Sequence, residues 1–405
     1  MFNKLYGVAH KMKTNLRTML TAALVPALIL VGCGSPAADN IPANEETVSE
    51  ETIVPRPDDG RTVVGISMPD KLLERWNRDG AFLEDQFKGA GCEVILKFAN
   101  NLIDTQTDDL KDMIAQGADL LVISAVDGSA ISSVLEDAHR QGIKVIAYDR
   151  LIMNTNAVDY YVSFDNYKVG ELQADYIIAS LGLEGSDEPR NIEFVTGDPV
   201  DNNARFFYRG AMDTLKPYLD ADKLRVPSSQ IGFYETATAQ WSSDIAQQRL
   251  QIILGSYYPE DTRLDAVLCA NDSTALGATR ALQSDYKGPG NVIVTGQDAD
   301  IANIYNILNG SQSMTVYKHP KEESVVTVAL GKDILAGNNP SEDLIENAGW
   351  DFDCSFNETD YYNGKKVVPS YLLRPIAISK DNIDKELFKT GYYGYNKAGL
   401  IYATK

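Results

Sequence analysis

The chain has 405 residues and a formal net charge of −20 at pH 7. This length exceeds what a single hydrophobic core usually serves, so we expect two domains. The acidic balance argues against nucleic acid and anionic lipid surfaces as partners, because both would repel the chain.

The first 32 residues predict a signal peptide. Four bases precede an apolar run over residues 19–32, which is short for a bilayer span but typical of a secretory signal. The run ends in LVGC (30–33), which resembles the lipobox of bacterial lipoproteins, where the cysteine becomes the lipid-bearing first residue. We therefore expect lipidation of Cys33 and an extracytoplasmic location on the periplasmic or outer face of the membrane. A plain signal peptide followed by an unrelated cysteine is the alternative.

Residues 33–60 predict a flexible acidic tether. Between Gly34 and Gly60 there are four prolines, seven acids and one base. Such a composition buries too little apolar surface to offset the entropy of ordering. The folded body is expected to begin near Arg61, and removing the four bases of residues 1–32 takes the net charge from −20 to −24.

Strand-like and helix-like segments alternate through the body. Near-continuous apolar runs spaced as in βαβ units are typical of a parallel sheet covered by helices on both faces. The runs of the first half are VVGISM (63–68), CEVILKF (92–98), DLLVISA (119–125) and IKVIAY (143–148). The pattern restarts with NIEFVTG (191–197), AVLCAN (266–271), NVIVTGQ (291–297) and MTVYK (314–318). We predict an α/β fold of two doubly wound parallel-sheet lobes, which exchange segments near the end of the chain.

Polar side chains follow several of these strands. The stretch GIKVIAYDRLI (142–152) runs from a buried strand into Asp149 and Arg150, which almost never go inside without partners. Ligands of open α/β sheets bind beyond the carboxyl ends of the strands, so this pair is expected to face a crevice. Other strand ends carry Asp201, Asn202, Asn203, Asn271, Asp272, Gln297, Asp298 and Lys318.

This set of polar groups predicts a monosaccharide site. A sugar hydroxyl both donates and accepts, so carboxylates, cationic side chains and amides all serve it. Trp76 and Trp241 offer flat apolar faces on which the C–H groups of a pyranose can stack. Two plainer alternatives stand beside this interpretation: Asp149 and Arg150 could pair only with each other, and Trp76 could belong to the core.

The quoted segments resemble a known family. LERW, IKVIAYDRLI, FDNYKVGELQA, DPVDNNA, AND, GQDAD and MTVYK resemble the bacterial type I periplasmic sugar-binding proteins, in their xylose-binding and multiple-monosaccharide-binding subfamily. The resemblance runs from about Thr62 to VVPSYLLRPIAISKDNI. It implies a periplasmic binding protein fold with a three-segment hinge. The first lobe would comprise 61–164 plus about 319–366, and the second 165–318 plus about 367–405.

The resemblance also implies which residues contact the sugar. The first lobe would supply Arg75, Trp76, Asp149 and Arg150, and the second Asn203, Trp241, Asn271, Asp298 and Lys318. Relatives vary at the position of Arg205, which stays an open addition. A hinge role is expected for Asp165 and Asn166. The tether and the acidic insert 338–364 have no assigned role in the family pattern, although the insert could alter docking to a transporter.

We therefore expect a monomeric solute-binding lipoprotein that captures an aldose such as xylose, glucose or galactose by hinge closure and delivers it to an ABC permease. An alternative is a sugar sensor that acts on a chemoreceptor or a sensor kinase. A carbohydrate-active enzyme using Asp149 and Asp298 as paired carboxylates is a further alternative. A transcription regulator of similar fold would need a basic helix-turn-helix, and none precedes Arg61.

Catalytic motifs are missing from the sequence. It has no G-x-S-x-G, P-loop, H-E-x-x-H or C-x-x-C. Only His139 and His319 follow the signal peptide, which makes a histidine metal site improbable. With Cys33 lipidated, an odd three cysteines remain, so no disulfide framework is implied. We expect neither enzymatic activity nor a metal or cofactor.

Overall fold

The computed structural model describes residues 60–404 of the chain. The predicted signal peptide, Cys33 and nearly all of the predicted tether lie outside the described residues. Within residues 60–404, no helix is both long enough and apolar enough to cross a membrane. Cys92, Cys269 and Cys354 are all free thiols.

The first lobe begins as a strict alternation of strands and helices. The elements in chain order are β1 (Val63–Met68), α1 (Glu74–Gly89), β2 (Glu93–Phe98), α2 (Ile103–Ala115), β3 (Leu120–Ile123), α3 (Ser132–Arg140), β4 (Lys144–Tyr148) and β5 (Tyr160–Phe164). The strands pair in parallel in the order β2-β1-β3-β4-β5. Every residue of β1 and β3 is buried, as expected of central strands covered on both faces. Because the strands are parallel, their carboxyl ends lie along one edge of the sheet, and the loops that follow them lie at that edge.

The second lobe repeats this plan. Its elements are α4 (Asn166–Leu181), β6 (Arg190–Val195), α5 (Asn202–Asp220), β7 (Leu224–Arg225), α6 (Phe233–Thr236), α7 (Ser243–Tyr257), β8 (Ala266–Cys269), α8 (Asp272–Asp285), β9 (Ile293–Val294), α9 (Ile301–Asn309) and β10 (Met314–Tyr317). Strands β7-β6-β8-β9 pair in parallel in that order. A parallel bridge between Gln297 and Val316 connects this sheet to β10. The predicted α/β class, with two doubly wound parallel-sheet lobes, is confirmed.

The chain then returns to the first lobe before it ends in the second. The remaining elements are α10 (Pro320–Leu335), α11 (Glu342–Ala348), β11 (Cys354–Asn357), β12 (Ser370–Leu373), β13 (Ile376–Ser379), β14 (Tyr393–Tyr395) and β15 (Ile401–Ala403). Helix α10 packs on α1, β4 and β5, and β12 pairs in parallel with β5. Strand β13 pairs with β10 of the second lobe, and β14 and β15 form an antiparallel hairpin.

The third passage between the lobes differs from the expected boundary at about residue 366. Residues 370–373 form β12 of the first-lobe sheet, so the chain crosses only at Arg374 and Pro375. Residues 370–378, SYLLRPIAI, thus form two strands in different lobes. Pro375 lacks an N–H and cannot continue the ladder of β12, which separates the two apolar runs.

The acidic insert 338–364 belongs to the first lobe. It contains α11, a stacked pair formed by Trp350 and Phe352 with ring centroids 5.4 Å apart, and β11. Strand β11 adds an antiparallel edge to β12. The insert therefore extends the first-lobe sheet on the side opposite β2.

Candidate ligand-binding site

A cavity lies between the carboxyl ends of the two sheets, and with its opening to solvent included it measures about 410 Å³. The structure places all nine predicted contact residues in its wall: Arg75, Trp76, Asp149, Arg150, Asn203, Trp241, Asn271, Asp298 and Lys318. Residues separated by more than two hundred positions in the sequence thus meet in one place. Arg205 is not part of the wall; its guanidinium lies over the rings of Phe233 and Tyr234.

Asp149 stands in a tight left-handed turn at the end of β4. Its φ is 57°, and the Arg150 N–H donates back to the carbonyl of Tyr148 at 2.6 Å. The carbonyl of Asp149 accepts hydrogen bonds from Tyr161 (2.6 Å) and Ser163 (2.9 Å), which lie on β5. This sparsely populated conformation ends the strand abruptly and turns the Asp149 carboxylate into the cavity.

Two further wall residues have the same unusual backbone. Trp241 has φ 54° and Asp298 has φ 101°. Non-glycine residues rarely adopt positive φ, and such positions concentrate where surrounding structure fixes them for function. The Asp298 N–H is held by the carbonyl of Val316 at 2.8 Å, so β10 fixes this turn.

Helix caps hold part of the second-lobe wall. Asp201 caps α5 by accepting from the Asn203 N–H at 2.9 Å, and Asn271 caps α8 by accepting from the Thr274 N–H at 2.9 Å. Each cap uses one side-chain oxygen and leaves the remaining polar atoms of that side chain for other partners. The residues that begin these helices therefore also line the cavity.

Arg75 is the centre of the charge network. Its buried guanidinium contacts Asp149 directly, and it lies 3.1 Å from Asp79, 3.3 Å from Asp298 and 3.3 Å from Glu323. Burial opposes its charge, but these four carboxylates outweigh burial and raise the pKa of Arg75 well above its usual value. Asp79 and Glu323 lie behind Arg75 and fix its direction.

Asp149 is ionised because cations surround it. Lys318 Nζ lies 3.2 Å from its carboxylate, and the same amine lies 3.7 Å from Asp298. Burial alone would raise the pKa of Asp149, but Arg75, Lys318 and Arg150 outweigh burial and lower it to about 2. A carboxylate of this kind accepts strong, charge-assisted hydrogen bonds from hydroxyl groups.

Arg150 and Asp201 face each other across the two lobes. Arg150 Nε lies 2.9 Å from the Asp201 carboxylate, and Arg150 also donates to the carbonyl of Ala125 at 2.9 Å. Burial raises the pKa of Asp201, and the Arg150 charge counteracts part of that rise. Arg150 is therefore fixed by its own lobe while it pairs with the other.

The two predicted indoles lie in the wall with different surroundings. Trp76 is 3% exposed, packs in the first-lobe core and carries the guanidinium groups of Arg75 and Arg150 near its ring, at 4.9 and 5.1 Å. Trp241 donates from Nε1 to Asp201 at 3.3 Å. Trp76 thus serves both the core and the cavity, so the two interpretations of this residue do not exclude each other.

Sequence reasoning left five wall residues out of the predicted contact set: Leu73, Asp201, Phe207, Gln297 and Asp300. Asp201 and Gln297 are among the polar strand ends, but the family resemblance implies no sugar contact for them. Phe207 follows Asn203 by four positions on α5, so helical periodicity alone would place it on the same face. The side-chain oxygen of Gln297 is buried with no partner in the described part of the chain.

The arrangement is suited to a small polar ligand. Three cationic side chains and four carboxylates line the cavity, interleaved with amides and aromatic rings. Within residues 60–404, no three His, Cys, Asp or Glu residues are arranged to hold a metal ion. The wall therefore offers hydrogen-bond donors and acceptors beside flat aromatic surfaces.

Known proteins resemble this chain over most of its length. A family model described as a periplasmic binding protein domain matches residues 64–339. The multiple sugar-binding periplasmic receptor ChvE of Rhizobium radiobacter is 42% identical over 82% of this chain and 90% of its own length. The D-xylose-binding periplasmic protein of Escherichia coli is 35% identical over the same shares.

A solved structure agrees with these relatives. It is an ABC transporter solute-binding protein from Clostridium phytofermentans with bound β-D-glucose, 46% identical, with a TM-score of 0.77, and the match covers 84% of this chain and 100% of that one. Fold, cavity position and sequence therefore agree, and the chain belongs to the periplasmic binding protein family, in the type I group that contains the multiple-sugar and xylose-binding receptors.

Proposed function

We propose that this protein is an extracytoplasmic receptor that captures a monosaccharide and passes it to an ABC importer. The observation that carries the proposal is the cavity itself, in which each lobe supplies charged groups and an indole and the second lobe adds amides. Relatives named for sugar binding and a related structure that holds β-D-glucose support an aldose as the ligand. Members of this family bind solutes and are not enzymes.

The proposed mechanism is closure of the two lobes around the sugar. Asn203 of the second lobe donates to the carbonyl of Asp149 in the first at 2.6 Å, and Arg75 reaches Asp298 at 3.3 Å. Neither lobe alone holds a complete set of partners for a ring with hydroxyls on every side. Bringing the lobes together completes the hydrogen bonds and removes water from the ring, with Trp76 and Trp241 as the stacking surfaces.

The energy required is modest. A micromolar dissociation constant corresponds to about 8 kcal/mol. Hydrogen bonds to charged groups contribute about 1.5–3 kcal/mol each, so a few of them and the aromatic contacts suffice after the cost of association. The depressed pKa of Asp149, about 2, disfavours the general-acid role in glycoside hydrolysis for this residue, because a general acid must be protonated at working pH.

Membrane attachment is a separate part of the proposal. A lipid on Cys33 and the acidic segment up to residue 60 would keep the receptor at the membrane, where its permease lies. The sequence of residues 1–60 supports this, and mass spectrometry of the membrane fraction tests it. We expect a diacylglyceryl-modified Cys33 at the N-terminus, and an unmodified, freely secreted chain would contradict lipid anchoring.

Calorimetric titration of the purified protein with D-xylose, D-glucose, D-galactose, L-arabinose and D-ribose tests the function. We expect a 1:1 isotherm in the micromolar range or tighter for at least one aldose. An Asp298→Asn variant should weaken that binding, and an Asp137→Asn variant, which changes an exposed carboxylate on α3, should not. Absence of heat with all five aldoses would contradict the proposal.

A further inference from the structure

We propose that Arg78 and the C-terminal residues Tyr392 and Tyr393 form a clasp between the lobes that sets how long the sugar stays bound without touching it. The inference rests on the proposed function and adds to it a positioning residue outside the cavity. Arg78 lies on α1, three residues after Arg75, but it is not part of the cavity wall.

The contacts of Arg78 point across the cleft. Its guanidinium donates to the Tyr393 hydroxyl and to the carbonyl of Asp298 at 3.4 Å, and it lies 3.5 Å from the Asp300 carboxylate. In the described part of the chain only Glu74, at 3.0 Å, partners it within its own lobe. The Arg78 side chain is 9% exposed, and three of these four polar partners belong to the second lobe.

Aromatic rings complete the clasp. The Arg78 guanidinium lies 5.3 Å from the Tyr392 ring centroid and 5.8 Å from that of Tyr393. Such cation–π contacts contribute about 0.5–2 kcal/mol, more when water is excluded. Both tyrosines are nearly fully buried, so the planar guanidinium is packed and not merely near them.

The tyrosines belong to the second lobe. The Tyr393 hydroxyl donates to the carbonyl of Ala299 at 2.6 Å, and the C-terminal hairpin packs with α9 in one apolar cluster. The Tyr392 ring lies 4.8 Å from Tyr317 and 5.6 Å from His319, which flank Lys318 at the second passage between the lobes. The clasp is thus rigidly attached next to two cavity residues, Asp298 and Lys318.

A second link lies beside the first. Glu74, which pairs with Arg78, accepts a hydrogen bond from the Ile301 N–H at 3.2 Å, at the first residue of α9. A carboxylate is favoured at a helix N-terminus because the free N–H groups there carry partial positive charge. Helix α1 therefore holds the second lobe at two neighbouring points.

These contacts exist only while the lobes are together, so their free energy stabilises the closed form selectively. A sugar that binds within the cleft benefits from that energy whatever its identity, because the clasp does not touch it. Loss of the clasp should therefore weaken the binding of every sugar by the same factor. It should act on release more than on entry, because entry precedes closure.

Rapid-mixing fluorescence of Trp76 and Trp241 tests this with D-glucose and D-xylose as probes. For Arg78→Met we expect the release rate to rise about tenfold for each bound sugar, with the association rate within about twofold of wild type. Arg78→Lys retains the positive charge but not the planar guanidinium group, so its release rate should lie between those of wild type and Arg78→Met. Arg209→Met is the matched control, because Arg209 lies over Tyr167 at 5.2 Å within one lobe.

Several results would overturn the clasp. One is a release rate in Arg78→Met that equals that of wild type. Another is a release rate that rises by different factors for D-glucose and D-xylose. A third is a loss of melting temperature that is the same with and without sugar. If Arg78→Met does not fold, Tyr393→Phe removes only the hydroxyl and must raise the release rate in the same direction. Wild-type protein that binds none of the five aldoses would contradict the proposed function, whereas binding with unaltered release in the variants would contradict the clasp alone.

Discussion

Asp149 and Arg150 end a buried strand because the cavity needs both charges. The left-handed turn at Asp149 aims its carboxylate at Arg75 and Lys318, while Arg150 is held by the carbonyl of Ala125 and by Asp201. Each charge has an opposite partner, so burial is tolerated. A sugar hydroxyl that enters this network finds acceptors and donors already oriented, which reduces the ordering cost of binding.

Replacing Asp149 by asparagine should nearly abolish sugar binding. The change removes a negatively charged hydrogen-bond acceptor. It also leaves Arg75 and Lys318 buried with one carboxylate fewer to balance their charge. Truncating one partner of such a buried pair costs about 2–5 kcal/mol, so we expect the dissociation constant measured by calorimetry to rise by at least about 30-fold. Asp213→Asn, an exposed change on α5, is the control. A dissociation constant equal to that of wild type would show that Asp149 does not contact the sugar.

Gly197 is required by the position of Trp241. A Cβ added at Gly197 would lie 2.0 Å from the Trp241 ring, far inside any real contact. Gly197→Ala should therefore displace the indole from the cavity and weaken sugar binding by about tenfold, at a cost of about 1–3 kcal/mol in stability. Gly185→Ala, where an added Cβ meets nothing within 4 Å, is the control. Equal affinities for the two variants would contradict a role for Trp241 in binding.

At the scale of elements, close helix packing places part of the wall. Helices α4 and α5 touch through glycines: a Cβ at Gly170 would lie 2.0 Å from the carbonyl of Phe207, and one at Gly210 would lie 2.0 Å from that of Tyr167. The contact fixes α5, which presents Asn203 and Phe207 to the cavity. The position of these two side chains thus depends on a helix that does not line the cavity at all.

Gly170→Ala should therefore lower both stability and affinity. The added methyl group forces α4 and α5 apart, an overpacking that costs about 1–3 kcal/mol and lowers the melting temperature by several degrees. Gly255→Ala on α7, with open space around the added Cβ, should instead raise stability slightly, since alanine favours a helix by about 0.5–1 kcal/mol. Thermal unfolding of both variants checks the pair, and a Gly170→Ala protein as stable as wild type would contradict the packing.

The elements also show what the sequence could predict. Apolar strands with polar ends predicted both sheets and brought Asp149, Arg150, Asn203, Asn271, Asp298 and Lys318 to one edge, because strand direction alone brings those ends together. The contact roles of Arg75, Trp76 and Trp241 came from the resemblance to the sugar-binding family. Asp300 and Phe207 needed turn and helix geometry beyond the strand ends. The split of SYLLRPIAI depended on pairing between distant strands, which local apolar content does not encode.

At the scale of the whole molecule, the folded protein buries acids that are hydrated in the unfolded chain. Burial first, then the carboxylates of Asp298 and Glu74, raise the pKa of Asp300 to about 7, although Arg78 opposes the rise. In the unfolded chain an aspartate has a pKa of about 3.9. The folded protein therefore holds a proton that the unfolded chain releases, and its stability falls as pH rises from about 4 through about 7.

Asp300→Asn should reduce this pH dependence. Asparagine resembles the protonated acid and cannot ionise, so the free energy of unfolding should fall less between about pH 5 and about pH 8 than it does in wild type. Asp79 and Glu322, with pKa values of about 6 and about 7, titrate in the same window, so a residual slope is expected. Urea unfolding at both pH values measures the difference, and identical slopes in the two proteins would contradict the assignment to Asp300.

The most direct test is a crystal structure of the protein grown with the aldose that binds most tightly in calorimetry. We expect one sugar ring between the two lobes, within hydrogen-bond distance of Asp149 and Asp298 and in contact with the rings of Trp76 and Trp241. A sugar bound on the surface of a single lobe, or a ring that contacts none of these four residues, would contradict the account.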